Sequence, residues 1–178
     1  FGRDSLRNNT TGCLNVAMGM HSLWSNTTGC SNTASGTYAL AYNTTGCNNT
    51  AIGQRSLNLN TTGYKNTSTG MIAMSANTTG HSNTASGYKA SWSNTTGYLN
   101  SAFGMQALNN NTTGYANTAV GTYAMYANTT ARCNVAVGFC ALNNNGAGYQ
   151  NTTVGAFAGA SSAAMYYNTL IGYSAGKA

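Results

Sequence analysis

A chain of 178 residues in which only 4% are charged, against about 25% in an ordinary domain, cannot be read as a typical soluble enzyme. Its net charge of +6 comes from seven basic residues against a single acid, Asp4, which excludes catalysis by paired carboxylates. No run of about eighteen apolar residues is present to cross a membrane as a helix, and twelve Tyr and two Trp in strict phase argue against low-complexity disorder.

The phase is that of a seventeen-residue unit, clearest at Asn111-Thr112-Thr113-Gly114-Tyr115-Ala116-Asn117-Thr118-Ala119-Val120-Gly121-Thr122-Tyr123-Ala124-Met125-Tyr126-Ala127. It restarts at Asn9, Asn26, Asn43, Asn60, Asn77, Asn94, Asn111, Asn128, Asn145 and Ser162 without insertion or deletion. Residues 1–8 form a partial coil and residues 9–178 form ten full coils, so 1–178 reads as a single repeat domain. The chain begins in mid-unit, with no initiator Met or signal-peptide pattern, as a segment of a longer fibre would. A fixed period of this length predicts an all-β parallel solenoid (a β-roll), one coil per repeat.

Counting from the Asn of Asn-Thr-Thr-Gly as position 1, the constants of the unit appear in order. The Gly at position 4 marks one corner. Position 7 is Asn at Asn15, Asn32, Asn49, Asn66, Asn83, Asn100, Asn117, Asn134, Asn151 and Asn168. With like residues stacked about 4.8 Å apart, this column predicts a side-chain amide ladder. Position 11 is Gly at Gly19, Gly36, Gly53, Gly70, Gly87, Gly104, Gly121, Gly138, Gly155 and Gly172, where a positive φ or a close backbone approach is expected. Between the corners lie two short runs, Asn-Thr-Ala-Val and x-x-Ala-Leu, each the length of a strand. Two glycines per unit and the Asn and Thr content disfavour helix. Ala at positions 9 and 14 with Leu at 15 would fill a thin interior. Such a core hides little apolar area, so the Leu and Val columns of several chains are expected to pack together, with a trimer as the favoured symmetry.

The cores Asn117–Met125 and Asn49-Thr50-Ala51-Ile52-Gly53-Gln54-Arg55-Ser56-Leu57 resemble the head repeat of trimeric autotransporter adhesins (YadA-like). That resemblance implies a left-handed parallel β-roll packed as a trimer on a cell surface, with a binding role. The period departs from it, because the adhesin coil is shorter; the added residues are the Asn-Thr-Thr-Gly corner. The whole chain is also similar to Asn-Thr-Thr-Gly/Asn-Thr-Ala-x-Gly-x-x-Ala-Leu fibre shafts of aquatic bacteria and their phages, some of which precede a self-cleaving chaperone domain that drives trimerisation. Asn168–Gly176 resembles a variant repeat of the same group. The resemblance carries no catalytic residues.

Candidate chemistry is sparse. Arg3, Arg7, Arg55, Lys65, Lys89, Arg132 and Lys177 fall at five different unit positions and make no stripe, so nucleic-acid binding is not expected. His21 and His81 lie in different columns, and no Ser-His-Asp set or phosphate loop can be assembled. No enzyme and no cofactor is expected. Cys13, Cys30 and Cys47 share position 5 in successive coils. Three readings stand for them: a half-buried column filled elsewhere by Tyr, His and Arg, a disulfide between neighbours, or a three-thiolate metal site without an evident fourth ligand. The plain column is adopted, with no metal site. Cys133 and Cys140 occupy other columns. Trp24 and Trp92, both at position 16, read as flank or groove cover, or as sugar-stacking platforms. The eight Asn-Thr-Thr triplets at Asn9, Asn26, Asn43, Asn60, Asn77, Asn94, Asn111 and Asn128 match the glycosylation acceptor pattern; the triplet also makes a good turn, which is the stronger reading, although sugar would help a rod with so little charge stay in solution.

These features favour a structural or adhesive fibre segment, extracellular or on a cell or virion surface, self-associating as a homotrimer or end-to-end filament, with surface glycans as possible targets. The rivals are an ice-binding and a carbohydrate-binding solenoid. Against the first, Thr at positions 2 and 3 are adjacent and are expected to point to opposite sides.

Overall fold

The computed structural model describes residues 2–161 and 163–176; Ser162, the first residue of the last unit, and Lys177 lie outside them. Ten strands of three residues recur once per unit: β1 Val16–Met18, β2 Thr33–Ser35, β3 Thr50–Ile52, β4 Thr67–Thr69, β5 Thr84–Ser86, β6 Ser101–Phe103, β7 Thr118–Val120, β8 Val135–Val137, β9 Thr152–Val154 and β10 Thr169–Ile171. They form one parallel sheet in sequence order. Every pairing is in register at seventeen residues, as in Ala34 opposite Ala51 and Ala51 opposite Ser68. The fold is a β-solenoid, on the order of 50 Å long at the usual strand spacing.

The second expected strand, x-x-Ala-Leu, is not one. Position 14 closes back on position 11, as in Ala39 N–H to Gly36 O at 3.1 Å. The third residue of that turn has positive φ, as at Tyr38 (60°) and Ile72 (61°), which a type II turn requires. Position 15 is also left-handed, as at Leu40 (50°) and Leu57 (49°). A second closure, Asn43 N–H to Leu40 O at 3.1 Å, brings the chain to the next unit. The run is a pair of turns that still stacks on its neighbours, because Leu40 N–H donates to Ser56 O and Tyr42 N–H to Asn58 O, both at 3.0 Å.

Gly at position 11 meets both conditions expected of it. Gly53 has φ +122°, and an added Cβ would lie 2.7 Å from the carbonyl of Gly70 in the next coil. Position 4 is tight for another reason: at Gly63 a Cβ would lie 2.3 Å from Asn60 Oδ1 and 2.5 Å from Gly80 O.

The interior holds Ala at 9 and 14 and Leu or Met at 15; Leu23, Leu40, Leu57, Met74, Leu108, Met125 and Leu142 are fully buried. The leucine column is therefore enclosed within one chain, contrary to the expectation that it would pack between chains. Departures from the template are matched locally. Ser68, in place of Ala at position 9, donates to Ala73 O at 3.0 Å and accepts from Ser56 Oγ at 2.7 Å. Leu170, in place of the same Ala, occupies the space left by Gly159 and Gly176, whose Cβ atoms would lie 3.4 and 2.5 Å from its Cδ1.

Not every departure is matched. Ser91 replaces Leu at position 15, is 1% exposed, and its hydroxyl has no partner. Its φ of 51° is that of the leucines, so the backbone is already set for a larger side chain. Ser91→Leu is expected to raise stability by about 1–3 kcal/mol through added apolar burial and removal of an orphaned hydroxyl. Urea unfolding followed by circular dichroism checks it; an unchanged or lower midpoint would show that the column has no room there.

Candidate functional site

The interior polar groups form two amide ladders, where sequence reasoning anticipates one. At position 7, Asn66 Nδ2 donates to Asn49 Oδ1 (3.2 Å) and to Gly80 O (2.8 Å), while its Oδ1 accepts from Asn83 N–H (3.0 Å) and Nδ2 (3.1 Å). The same pattern runs from Asn15 to Asn134. At position 1, Asn60 Nδ2 donates to Asn43 Oδ1 (2.8 Å) and Gly63 O (3.0 Å). Both ladders thus fasten the Asn-Thr-Thr-Gly corner by its Gly carbonyl, and the recurrence of Asn at position 1 in successive units from Asn9 to Asn145 is the signal that could have revealed the second.

The glycosylation reading is corrected by this ladder. Asn26, Asn43, Asn60, Asn77, Asn94, Asn111 and Asn128 are fully buried, and the amide nitrogen that would carry a sugar donates inside the coil stack. Asn9, in the first coil, is half-buried, and its Nδ2 donates to Gly12 O at 2.9 Å. The ladder breaks where Ala131 replaces the position-4 Gly, leaving Asn128 Oδ1 buried without a partner.

Outside, three sets of columns face solvent. On the strands, positions 8 and 10 point outward around the buried Ala, as in the exposed–buried–exposed pattern of β1. Position 10 and the neighbouring position 12 carry exposed apolar side chains: Met18, Ile52, Phe103 and Val120 on one, Met20, Met71, Met105 and Phe139 on the other. They make an apolar strip along the rod, interrupted by Ser35, Thr69 and Ser86 on the first column and by Thr37, Gln54 and Thr122 on the second. Of the described basic residues only Arg3 belongs to either column.

On the Thr-Thr corner, the position-3 threonines are exposed, whereas position 2 directs its hydroxyl to the next coil, as in Thr44 Oγ1 to Thr61 O at 3.1 Å. The outward threonines of position 8, such as Thr50 and Thr67, are a further column that the unit pattern did not single out.

Position 5 makes the third set. Tyr64, His81, Tyr98 and Tyr115 stack with centroids 4.7, 5.1 and 4.9 Å apart and planes within 19° of parallel, so their faces are spent on one another. Arg132 lies 4.7 Å over the Tyr149 ring. Cys13, Cys30 and Cys47 continue the column. Cys13 donates its thiol to Cys30 Sγ at 2.8 Å, and its N–H donates to the same sulfur at 3.1 Å; Cys30 N–H donates to Cys47 Sγ at 3.1 Å. The bond to Cys30 raises the Cys13 pKa, with burial adding to it, and the two bonds from Cys13 lower that of Cys30. No metal-binding group of three or more His, Cys, Asp or Glu occurs among the described residues.

The remaining candidates are dispersed. Trp24 is partly buried against Tyr42 at 6.2 Å, with its indole N–H unpartnered, and Trp92 lies under Lys89 Nζ at 5.1 Å. His21 reaches Asp4 Oδ2 at 3.4 Å, beside Arg3 and Arg7, far along the rod from His81. No described helix is long and apolar enough to cross a membrane. No protein-family model matches the chain, and no curated protein or solved structure matches it.

Proposed function

We propose that this chain is a shaft or adhesive segment of an extracellular fibre, on a cell or virion surface, with copies associated side by side as a left-handed homotrimer. The observation that carries the reading is the apolar strip of positions 10 and 12 along a rod whose own leucines are enclosed. A strip that runs on the order of 50 Å along one side of the rod is the kind of exposed apolar surface that marks an interaction site. A second, parallel copy suits it, since both carry the same seventeen-residue spacing and almost no charge in these columns. The work done is geometric: repetition sets surface groups at regular intervals for adhesion, with surface glycans as the class of target, and no catalytic step or cofactor is involved.

Light scattering on the eluting protein tests association. A trimer is expected for the natural chain, and the triple variant Met71→Asp, Phe103→Asp, Met105→Asp is expected to elute as a monomer with an unchanged circular dichroism spectrum. A natural chain that is monomeric at micromolar concentration would overturn the reading. The position-8 threonines favour ice binding as a second reading, because they lie on one sheet face at a regular spacing. The adjoining Met18, Ile52 and Phe103 make that face uneven, so thermal hysteresis is expected to be absent.

A further inference from the structure

We infer that Cys13 and Cys30 are a thiol–disulfide exchange site that cross-links two successive coils, with Cys47 remaining as a free thiol. Three observations carry it, none of which depends on the fibre reading. The two sulfurs are already 2.8 Å apart and joined by a thiol hydrogen bond. Stacked Cα atoms about 4.8 Å apart fall within the range a disulfide spans. Cys30 Sγ accepts from both the thiol and the N–H of Cys13, the arrangement that favours a thiolate on the central residue and a protonated partner beside it. Cys13 is exposed and Cys30 half-exposed, so a small-molecule disulfide can reach them.

The exchange balances with oxidised glutathione as the electron acceptor. Cys30 thiolate attacks one glutathione sulfur, the glutathione S–S bond breaks, and one glutathione thiolate leaves, giving a mixed disulfide on Cys30. Cys13 then loses its proton to solvent and attacks the Cys30 sulfur, expelling the second glutathione thiolate. Two protein thiols are oxidised, one glutathione disulfide is reduced to two thiols, and the two protons end on the glutathiones. The link closes a loop of one coil and locks the stacking register of the first two units. Cys133 and Cys140 lie at positions 6 and 13 and take no part.

The test is thiol mapping after incubation with a glutathione redox buffer. Trypsin leaves all three cysteines on the peptide spanning residues 8–55, so chymotrypsin, which cuts at Trp24 and Tyr42, is used to separate them. Three of the five cysteines are expected to alkylate, and the Cys13 and Cys30 peptides are expected to leave as one linked species that separates on reduction. Cys47→Ser is expected to keep the link and Cys13→Ser to abolish it. Both should fold, because position 5 accepts Tyr, His and Arg in other coils, and circular dichroism verifies this. Five alkylatable thiols after oxidation, a link from Cys30 to Cys47 in the natural chain, or a link to Cys133 or Cys140 would each overturn the inference. A monomeric chain bearing the Cys13–Cys30 link would sink the fibre reading alone.

Discussion

Replacing Gly87 with alanine is expected to cost about 4 kcal/mol. Gly87 has φ +136°, a conformation in which a side chain is strained by about 1–3 kcal/mol. The new Cβ would also lie 2.5 Å from Gly104 O and 2.7 Å from Gly104 C, which are backbone atoms of the next coil and cannot turn aside. Overpacking of that kind adds a further cost of about 1–3 kcal/mol. For a chain of this size the sum corresponds to a fall in melting temperature of about 8–16 °C. Gly146→Ala is the control, since the nearest atom to its added Cβ is 3.7 Å away and its φ is not positive. That variant is expected to stay within about 0.5 kcal/mol of the natural chain. Equal melting curves for the two variants would mean that position 11 does not stack as described.

Removing the amide of Asn66 is expected to be as damaging, at about 4–5 kcal/mol. Asn66→Ala takes one donor each from the buried Gly80 O and Asn49 Oδ1 and leaves Asn83 N–H and Nδ2 without their acceptor in the ladder. Only Asn83 N–H is left with no partner, at about 1–3 kcal/mol, while Gly80 O, Asn49 Oδ1 and Asn83 Nδ2 keep other partners and each lose a bond worth about 1 kcal/mol. Asn58→Ala is the comparison. Asn58 is half-buried and makes one side-chain bond, to Tyr38 O at 2.9 Å, so about 1 kcal/mol is expected there. Urea titrations of the three proteins read the difference, and an Asn66→Ala midpoint close to that of Asn58→Ala would remove the ladder from the list of stabilising features.

The period, the Asn66 column and the Gly87 column were legible in the sequence because they recur at fixed spacing, and stacking turns recurrence directly into contact. The turn at Tyr38–Leu40 was not. Its residues have ordinary side chains, and their left-handed φ is imposed by the hydrogen bonds to neighbouring coils. The hint was Gly159 and Gly176, which stand at the left-handed position in place of Leu. The engagement of the position-1 asparagines is not legible in the sequence, because the Asn-Thr-Thr pattern says what an enzyme would recognise in an extended chain. It says nothing of whether Asn60 Nδ2 is already engaged in the folded one. The outer columns were legible as columns only: the sequence lines up Met71 and Met105, and it does not state what lies against them.

Positions 6, 13 and 15 hold ordinary side chains in the left-handed region coil after coil, as at Lys65, Ile72 and Met74. Each such residue costs about 1–2 kcal/mol, so a solitary coil is a poor nucleus and exists only when templated by a neighbour. Folding of this rod is therefore a growth process: a slow start, then addition at an advancing front that copies the shape of the layer beneath. Early encounters between half-built chains would meet at such fronts, which makes the rate of growth, more than final stability, the quantity that decides whether rods stay separate.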